Sequence, residues 1–196
     1  MHNGFVRVDE VKMSKSLGNF RTVRDLLQSY RGEVLRFALL SAHYRTPLNF
    51  SAELLEQARA TLDSFYSTLR DVRDIKVDTE VCLADEPFYH ALNDDLNTPV
   101  AIAELHALAK QLHKARPDEK ATLKARILAA GSMLGILEQD PAQWLQEAAS
   151  KDAISVTAIE ALIKERHDAK LARNYARADE VRTALLAQGV VLEDSR

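Results

Sequence analysis

Residues 51–72 read Ser-Ala-Glu-Leu-Leu-Glu-Gln-Ala-Arg-Ala-Thr-Leu-Asp-Ser-Phe-Tyr-Ser-Thr-Leu-Arg-Asp-Val. Ser51 suits an N-cap, because its hydroxyl can accept from an otherwise orphaned backbone N–H of the first turn. Leu55, Ala58, Leu62, Phe65, Leu69 and Val72 then recur three and four apart, which lines them along one face of an α-helix. This stretch sets the fold class as mainly α.

The same pattern extends toward the C-terminus. Residues 76–85 are acidic and aperiodic and read as an exposed connection. Thr98-Pro99 opens another helix, with threonine as cap and proline in the first turn, and its stripe is Ile102, Leu105, Ala109 and Leu112. Pro117 begins the next, carrying Leu123, Ile127, Ala130, Leu134 and Leu137. Long stripes separated by short loops predict an antiparallel helical bundle over 51–140. Residues 141–156 are weaker and read as a linker. Beyond them Thr157 and Glu160 form a capping box, and Ile159, Leu162 and Ile163 mark a helix. Asn174 opens the last helix, with Tyr175, Ala178, Val181 and Leu185 turned inward. Gly189 suits its C-cap, and 190–192 read as a terminal strand.

Toward the N-terminus, 43–49 is a break containing Pro47. A helix follows Gly32 with Val34, Leu35, Ala38 and Leu39 on its apolar side. Thr22 caps a shorter one, with Asp25 in the capping-box position. Residues 10–20 read as a loop containing Gly18-Asn19, and Phe5, Val6 and Val8 mark a short strand before it.

Composition excludes several classes. Hydrophobic residues form 46% and charged residues 28% of the 196, which supports a buried core and argues against wholesale disorder. One cysteine, Cys82, excludes an internal disulfide framework and a cysteine-rich zinc site. No apolar run approaches a membrane span and no signal-peptide core stands at the start, so the sequence reads as cytoplasmic. The net charge is −3, but it is unevenly spread. The first fifty residues hold eight basic and four acidic side chains, a surplus of +4 that leaves the remainder at −7. A second basic stretch lies at 164–182. Two basic regions on an acidic body could meet separate parts of one polyanion; ordinary solvated helix faces account for them equally well.

The stretch richest in chemistry is Lys12-Met13-Ser14-Lys15-Ser16, followed by Leu17-Gly18-Asn19. Two ammonium groups on long stems can reach successive phosphates of a nucleotide, while the hydroxyls and amides of Ser14 and Ser16 add donors. Such a loop stabilises charge that grows on a leaving pyrophosphate, and being a loop it can close and reopen. A bare lysine pair in a solvated loop is the competing reading.

The five residues match the KMSKS signature of class I aminoacyl-tRNA synthetases, and their surroundings resemble the cysteinyl-tRNA synthetase family. The resemblance is carried by Met1-His2-Asn3-Gly4, Ser16-Leu17-Gly18-Asn19-Phe20 and Leu35-Arg36-Phe37. It continues in Ser41-Ala42-His43-Tyr44-Arg45, Pro47-Leu48-Asn49-Phe50 and Asp94-Asp95-Leu96-Asn97-Thr98-Pro99. Ala178-Asp179-Glu180-Val181-Arg182 and Gly189-Val190-Val191-Leu192-Glu193-Asp194 complete it, so it spans essentially the whole chain in family order.

The resemblance implies an organisation. Residues 1–21 would be the end of a Rossmann catalytic domain, a strand and the KMSKS loop, and 22–50 stem-contact and connecting helices. Residues 51–140 would be a tRNA-binding bundle, 141–156 a linker, and 157–196 a small anticodon-binding α(+β) domain. It also implies roles. Lys15 would be the main contact to ATP and to the adenylation transition state, with Lys12 assisting and Met13, Ser14 and Ser16 completing the ATP-binding loop. The partners would be ATP as its magnesium complex, cysteine and tRNA(Cys), acting on a monomer. Zinc serves the family through two Cys, a His and a Glu, which would lie upstream together with the HIGH signature, so no metal site is expected in this chain. The family's Gly-Thr-Trp-Arg tail would follow Arg196. With most of the catalytic sheet elsewhere, Phe5, Val6 and Val8 are expected to lack strand partners.

Arg45, Lys170, Asp179 and Asp194 fall where tRNA contacts are implied. For Arg45, phosphate binding and an interdomain salt bridge both stand. Lys170 takes a position that is commonly Arg, which loses bidentate recognition. Asp179 suits either an exocyclic amine of an unstacked base or a pair with Arg182. Asp94 and Asp95 are expected to serve the following helix start through capping and its dipole. The functional expectation is a cysteine–tRNA ligase. A non-catalytic tRNA-binding fragment and a cysteine ligase of thiol biosynthesis are the alternatives.

Overall fold

Ser51 accepts the Leu54 N–H at 3.2 Å and starts helix α3, Ala52–Arg70, in a computed structural model that describes residues 3–8, 11–17, 19, 22–77, 81, 83–150, 156–171 and 174–187. All six stripe residues, Leu55, Ala58, Leu62, Phe65, Leu69 and Val72, are buried. The chain divides into two compact units, Met1–Pro141 and Ala142–Arg196.

In the first unit, α3 is preceded by α1 (Val23–Leu26) and α2 (Gly32–Leu40), and followed by α4 (Pro87–Asn93), α5 (Thr98–Lys114) and α6 (Lys120–Leu134). Helix α3 packs on α2 and on α5, which also packs on α4 and α6. The five-residue return between α5 and α6, two helices that touch, makes them an antiparallel hairpin. Ile102, Leu105, Ala109 and Leu112 from α5 meet a core that includes Leu123, Ile127, Ala130 and Leu134 from α6. Gly135 ends α6 in the left-handed region at φ 65°, where a Cβ is disfavoured. Thr22 and Asp25 form the predicted capping box on α1.

Several local expectations change. The first strand has partners: β1 (Val6–Val8) pairs antiparallel with β2 (Val11–Lys12) and parallel with β3 (Leu48–Asn49), in the order β2-β1-β3. The reason is that the break after α2 returns as a strand, with the Leu48 N–H donating to the Phe5 carbonyl at 3.0 Å and the Phe50 N–H to Arg7 at 2.8 Å. Phe37 and not Leu39 completes the inner face of α2, and Leu39 is half exposed. Helix α5 is capped by Asn97, whose Oδ1 accepts the Val100 N–H at 3.4 Å, so Thr98 is already helical. Asp94 and Asp95 make no such cap; Asp95 is used elsewhere, as described below.

In the second unit, α7 (Pro141–Ser150) forms a helix where the sequence suggests a connection, and its Trp144 is buried. Helices α8 (Val156–Leu171) and α9 (Tyr175–Ala187) pack on one another. Asn174 caps α9 by accepting the Arg177 N–H at 3.2 Å. Ala178, Val181 and Leu185 are buried as expected, whereas Tyr175 faces solvent at 63% exposure. Helix α8 begins at Val156, one residue before Thr157. The expected Gly189 cap and terminal strand lie outside the described residues. No described helix is long and apolar enough to cross a membrane.

Candidate functional site

The lysine loop is presented at the end of the β1–β2 hairpin. Arg7 stands opposite Lys12 and Val8 opposite Val11, and the Met13 N–H donates to the Val6 carbonyl at 3.1 Å. Lys12 therefore stands at a strand end, and the chain leaves the sheet after Met13. Lys15 opens a single 3₁₀ turn, Lys15–Leu17. Asn19 closes the loop from its far side. Its Oδ1 accepts the Ser14 N–H at 2.9 Å and its Nδ2 donates to the Lys12 carbonyl at 3.2 Å. One amide side chain thus bonds the first and third residues of the pentapeptide. The hydroxyls of Ser14 and Ser16 lie 3.2 Å apart. The ammonium of Lys12 rests 4.4 Å from the centre of the exposed Phe5 ring. An exposed contact of that kind is worth about 0.5–1 kcal/mol, weak enough for a phosphate to draw the ammonium away.

A second cluster lies at the corner between α2 and β3. Asp95, from the turn between α4 and α5, receives three consecutive side chains. Its Oδ1 accepts the Tyr44 hydroxyl at 2.6 Å and Arg45 Nη2 at 3.1 Å, and its Oδ2 accepts Arg45 Nε at 2.6 Å. His43 Nε2 lies 3.0 Å from the Asp95 carbonyl oxygen. The fork of Arg45 and then the Tyr44 hydroxyl hold the Asp95 carboxyl down at about 2, and the same bonds raise both partners. Asp95 and Leu96 both have positive φ, 51° and 55°, so the turn places this carboxylate by a backbone that non-glycine residues seldom adopt. Of the two readings for Arg45, the geometry therefore gives the salt bridge, with the Arg45 side chain still 56% exposed.

In the second unit, Lys170 is exposed on α8 and Asp179 on α9. Arg177 ties the two helices, reaching Glu165 at 2.8 Å and Glu180 at 2.8 Å. Among the described residues no ion pair joins Asp179 to Arg182. Asp194 lies outside the described residues, as does Cys82. Lys12, Met13, Ser14, Lys15 and Ser16 thus form one continuous segment, from the end of β2 into the 3₁₀ turn. The structure holds Arg45 in a separate cluster of the same unit, and puts Lys170 and Asp179 on a different unit.

Among the described residues no group of three or more His, Cys, Asp or Glu could hold a metal ion. Two positions escape a reading by residue type. Asn19 is hidden because an amide staple needs the loop's return path, and Asp95 because its partners are some fifty positions away in sequence.

Residues 1–60 match the family model of the class I (C) tRNA synthetase catalytic domain, and residues 87–138 match that of the DALR domain. Over its whole length the chain matches the C-terminal portion of a cysteinyl-tRNA synthetase. A cysteine–tRNA ligase of Saccharophagus degradans is 54% identical over 196 residues, covering 100% of this chain and 42% of that protein. The ligase of Paramagnetospirillum magneticum is 48% identical over 195 residues, 99% of this chain and 42% of its own length. That of Xanthomonas campestris is 47% identical over 196 residues, with coverage of 100% and 42%. The chain thus spans less than half the length of these relatives.

Proposed function

We propose that this chain supplies the nucleotide loop and the tRNA-binding part of a cysteine–tRNA ligase. The ligase would join cysteine to ATP as cysteinyl adenylate with release of pyrophosphate, then pass the cysteinyl group to tRNA(Cys) with release of AMP. The observation that carries this reading is the segment running from the end of β2 at Lys12 through the 3₁₀ turn Lys15–Leu17, closed by Asn19. Negative charge builds on the β- and γ-phosphates as the α-phosphate is attacked. In this reading the ammonium of Lys15 meets that charge most directly, Lys12 assists from the strand end, and the serine hydroxyls and loop amides donate to phosphate oxygens. Magnesium arrives with ATP as part of the substrate.

The remaining assignments belong to the same reading. Residues 1–21 act as the strand and loop of a Rossmann domain. The helices over 22–140 lie along the tRNA, and the second unit reaches the anticodon with Lys170, Asp179 and Asp194. The chain's match over its whole length to cysteine–tRNA ligases supports the amino acid, and the DALR domain match supports the RNA partner. The test joins residues 1–196 to the upstream part of the Saccharophagus degradans relative and measures cysteine-dependent exchange of pyrophosphate into ATP. Exchange in the joined protein, with none from the 196 residues alone, is the expected result. A folded joined protein with no exchange overturns the reading.

A further inference from the structure

We propose that Asp95 is a positioning residue, whose carboxylate, seated on Tyr44 and Arg45, ties the α4–α5 turn to the hairpin that carries the lysine loop. The proposal takes the loop's role from the function proposed above and adds what sets the loop's position. It also joins two regions that match different family models, since His43, Tyr44 and Arg45 fall within residues 1–60 and Asp95 within 87–138.

The path is continuous and short. Asp95 holds Tyr44 and Arg45 by bonds of 2.6 to 3.1 Å. The carbonyl of Tyr44 accepts the Gly4 N–H at 2.7 Å. Gly4 is pressed so closely on the 46–47 backbone that a Cβ there would collide with the Thr46 carbonyl. One residue on, the Phe5 carbonyl accepts the Leu48 N–H and β1 begins. β1 carries β2, and β2 ends at Lys12. The two ends of this path have unlike supports. Asp95 sits on a turn between α4 and α5, which pack on each other. The hairpin makes up two of the three strands of a sheet whose strands are two or three residues long, too short to hold its position by pairing alone. A charge-assisted fork and a hydroxyl bond to one carboxylate give direction as well as attachment. The positive φ at Asp95 and Leu96 fixes where that carboxylate points.

Hydrogen exchange on the 196-residue chain tests this without any catalytic step, so its outcome is separate from that of the exchange of pyrophosphate. The reporters are the Met13 and Ser14 amides, which donate to Val6 and Asn19. The controls are the amides of Leu62 in α3 and Leu105 in α5. Asp95→Gly removes the carboxylate and keeps a residue at ease with positive φ. It should raise exchange at Met13 and Ser14 at least fivefold, with less than twofold change at Leu62 and Leu105. Asp95→Asn tolerates the same backbone and keeps one acceptor oxygen, and should fall between wild type and Asp95→Gly. Tyr44→Phe with Arg45→Met removes the partners from the other side and should reproduce Asp95→Gly. Reporter exchange within twofold of wild type in both Asp95→Gly and the Tyr44/Arg45 double variant overturns the proposal. So does a rise that is equal at the reporters and the controls, because that would be general loosening.

Discussion

Tyr66 on α3 donates its hydroxyl to the buried carboxylate of Glu33 on α2, 2.9 Å from Oε2. Glu33 Oε1 also accepts the Leu137 N–H at 2.8 Å, and the Tyr66 oxygen lies 3.3 Å from the Gln139 N–H. One carboxylate therefore joins α2, α3 and the segment after α6, and holds Leu137 at φ 61°. Burial is the main influence on Glu33 and pushes its carboxyl above the ordinary 4.5, against the bonds from Leu137 and Tyr66. Glu33→Ala would leave two buried donors without acceptors, a loss of about 3 kcal/mol read in urea melts. The pH dependence has a definite sign. Above 4.5 and below its raised folded value, Glu33 keeps a proton in the folded state that the unfolded chain has released. Stability from this group therefore falls as pH rises through that window. Glu33→Gln removes the titration, so wild type minus Glu33→Gln should become less favourable with rising pH over that range. A flat difference would show that Glu33 titrates normally.

Lys124 reaches from α6 to the end of α3, where its ammonium donates to the carbonyls of Val72 at 2.9 Å, Arg73 at 3.1 Å and Ile75 at 2.8 Å. These carbonyls lie in the turn just beyond the helix C-terminus, where the negative end of the dipole favours a cation. Partial burial lowers the lysine below its usual value without a carboxylate in direct contact. Lys124→Met keeps the stem and removes the donors. It should cost about 2 kcal/mol in a denaturant melt. Lys124→Arg should recover only part of that, since a planar fork does not reproduce three bonds from one nitrogen.

Much of this architecture is legible in the sequence because the helices announce themselves locally. The α3 stripe repeats over five turns, and each of its six residues is buried. The lysine pentapeptide stands out for another reason: it resembles a family signature. What escapes has long reach. β3 is two residues, too short for periodicity to report, and its pairing with β1 spans some forty positions. Asp95 reads as a helix-start residue because it stands three before Thr98, and only the fold brings Arg45 to it. Tyr175 reads as core by its spacing, yet near the start of α9 it faces water. Helix α4 escapes because a single turn or two gives too few apolar positions to show a period.

Gly4 supports the hairpin by its lack of a side chain. Its N–H donates to Tyr44, and its Cα lies against the 46–47 backbone, with Pro47 N 2.8 Å from where a Cβ would stand. Gly4→Ala would have to part these two segments. It should destabilise the sheet by about 2 kcal/mol and raise amide exchange at Leu48 and Phe50, while the α5–α6 hairpin keeps its protection. Unchanged exchange at Leu48 and Phe50 would show that the approach is looser than the geometry requires.

Lys15→Ala tests the chemistry proposed for the loop. In residues 1–196 joined to the upstream part of the Saccharophagus degradans ligase, it should slow adenylate formation far more than it weakens ATP binding. The reason is that an ammonium aimed at charge on departing pyrophosphate acts mainly in the transition state. Loss of one such contact is worth roughly 3 kcal/mol, about two orders of magnitude in rate. Lys12→Ala, whose amine rests on Phe5, should have the smaller effect. Pyrophosphate exchange within twofold of wild type in Lys15→Ala would remove this lysine from the mechanism.

The 196 residues alone should hold tRNA weakly, because phosphate contacts are distributed and each acts in part by itself. Lys164 and Arg182 are exposed on α8 and α9. Arg177 is already engaged by Glu165 and Glu180, which raise its affinity for its proton and occupy its donors. The cations best placed to exchange counterions for phosphates are therefore Lys164 and Arg182. Titration of tRNA at several salt concentrations should give an association constant that falls steeply as salt rises. Replacing both Lys164 and Arg182 by Ala should weaken binding at low salt and reduce the slope of log K against log salt by about 1 to 2, the loss expected for one or two phosphate contacts. Arg177→Lys should leave the slope unchanged, since that position keeps its charge and its two glutamates. A slope that does not change in the Lys164/Arg182 variant would place the phosphate contacts on the first unit, where the basic surplus of residues 1–50 is the other candidate. No binding at any salt would remove tRNA holding from what these residues do by themselves.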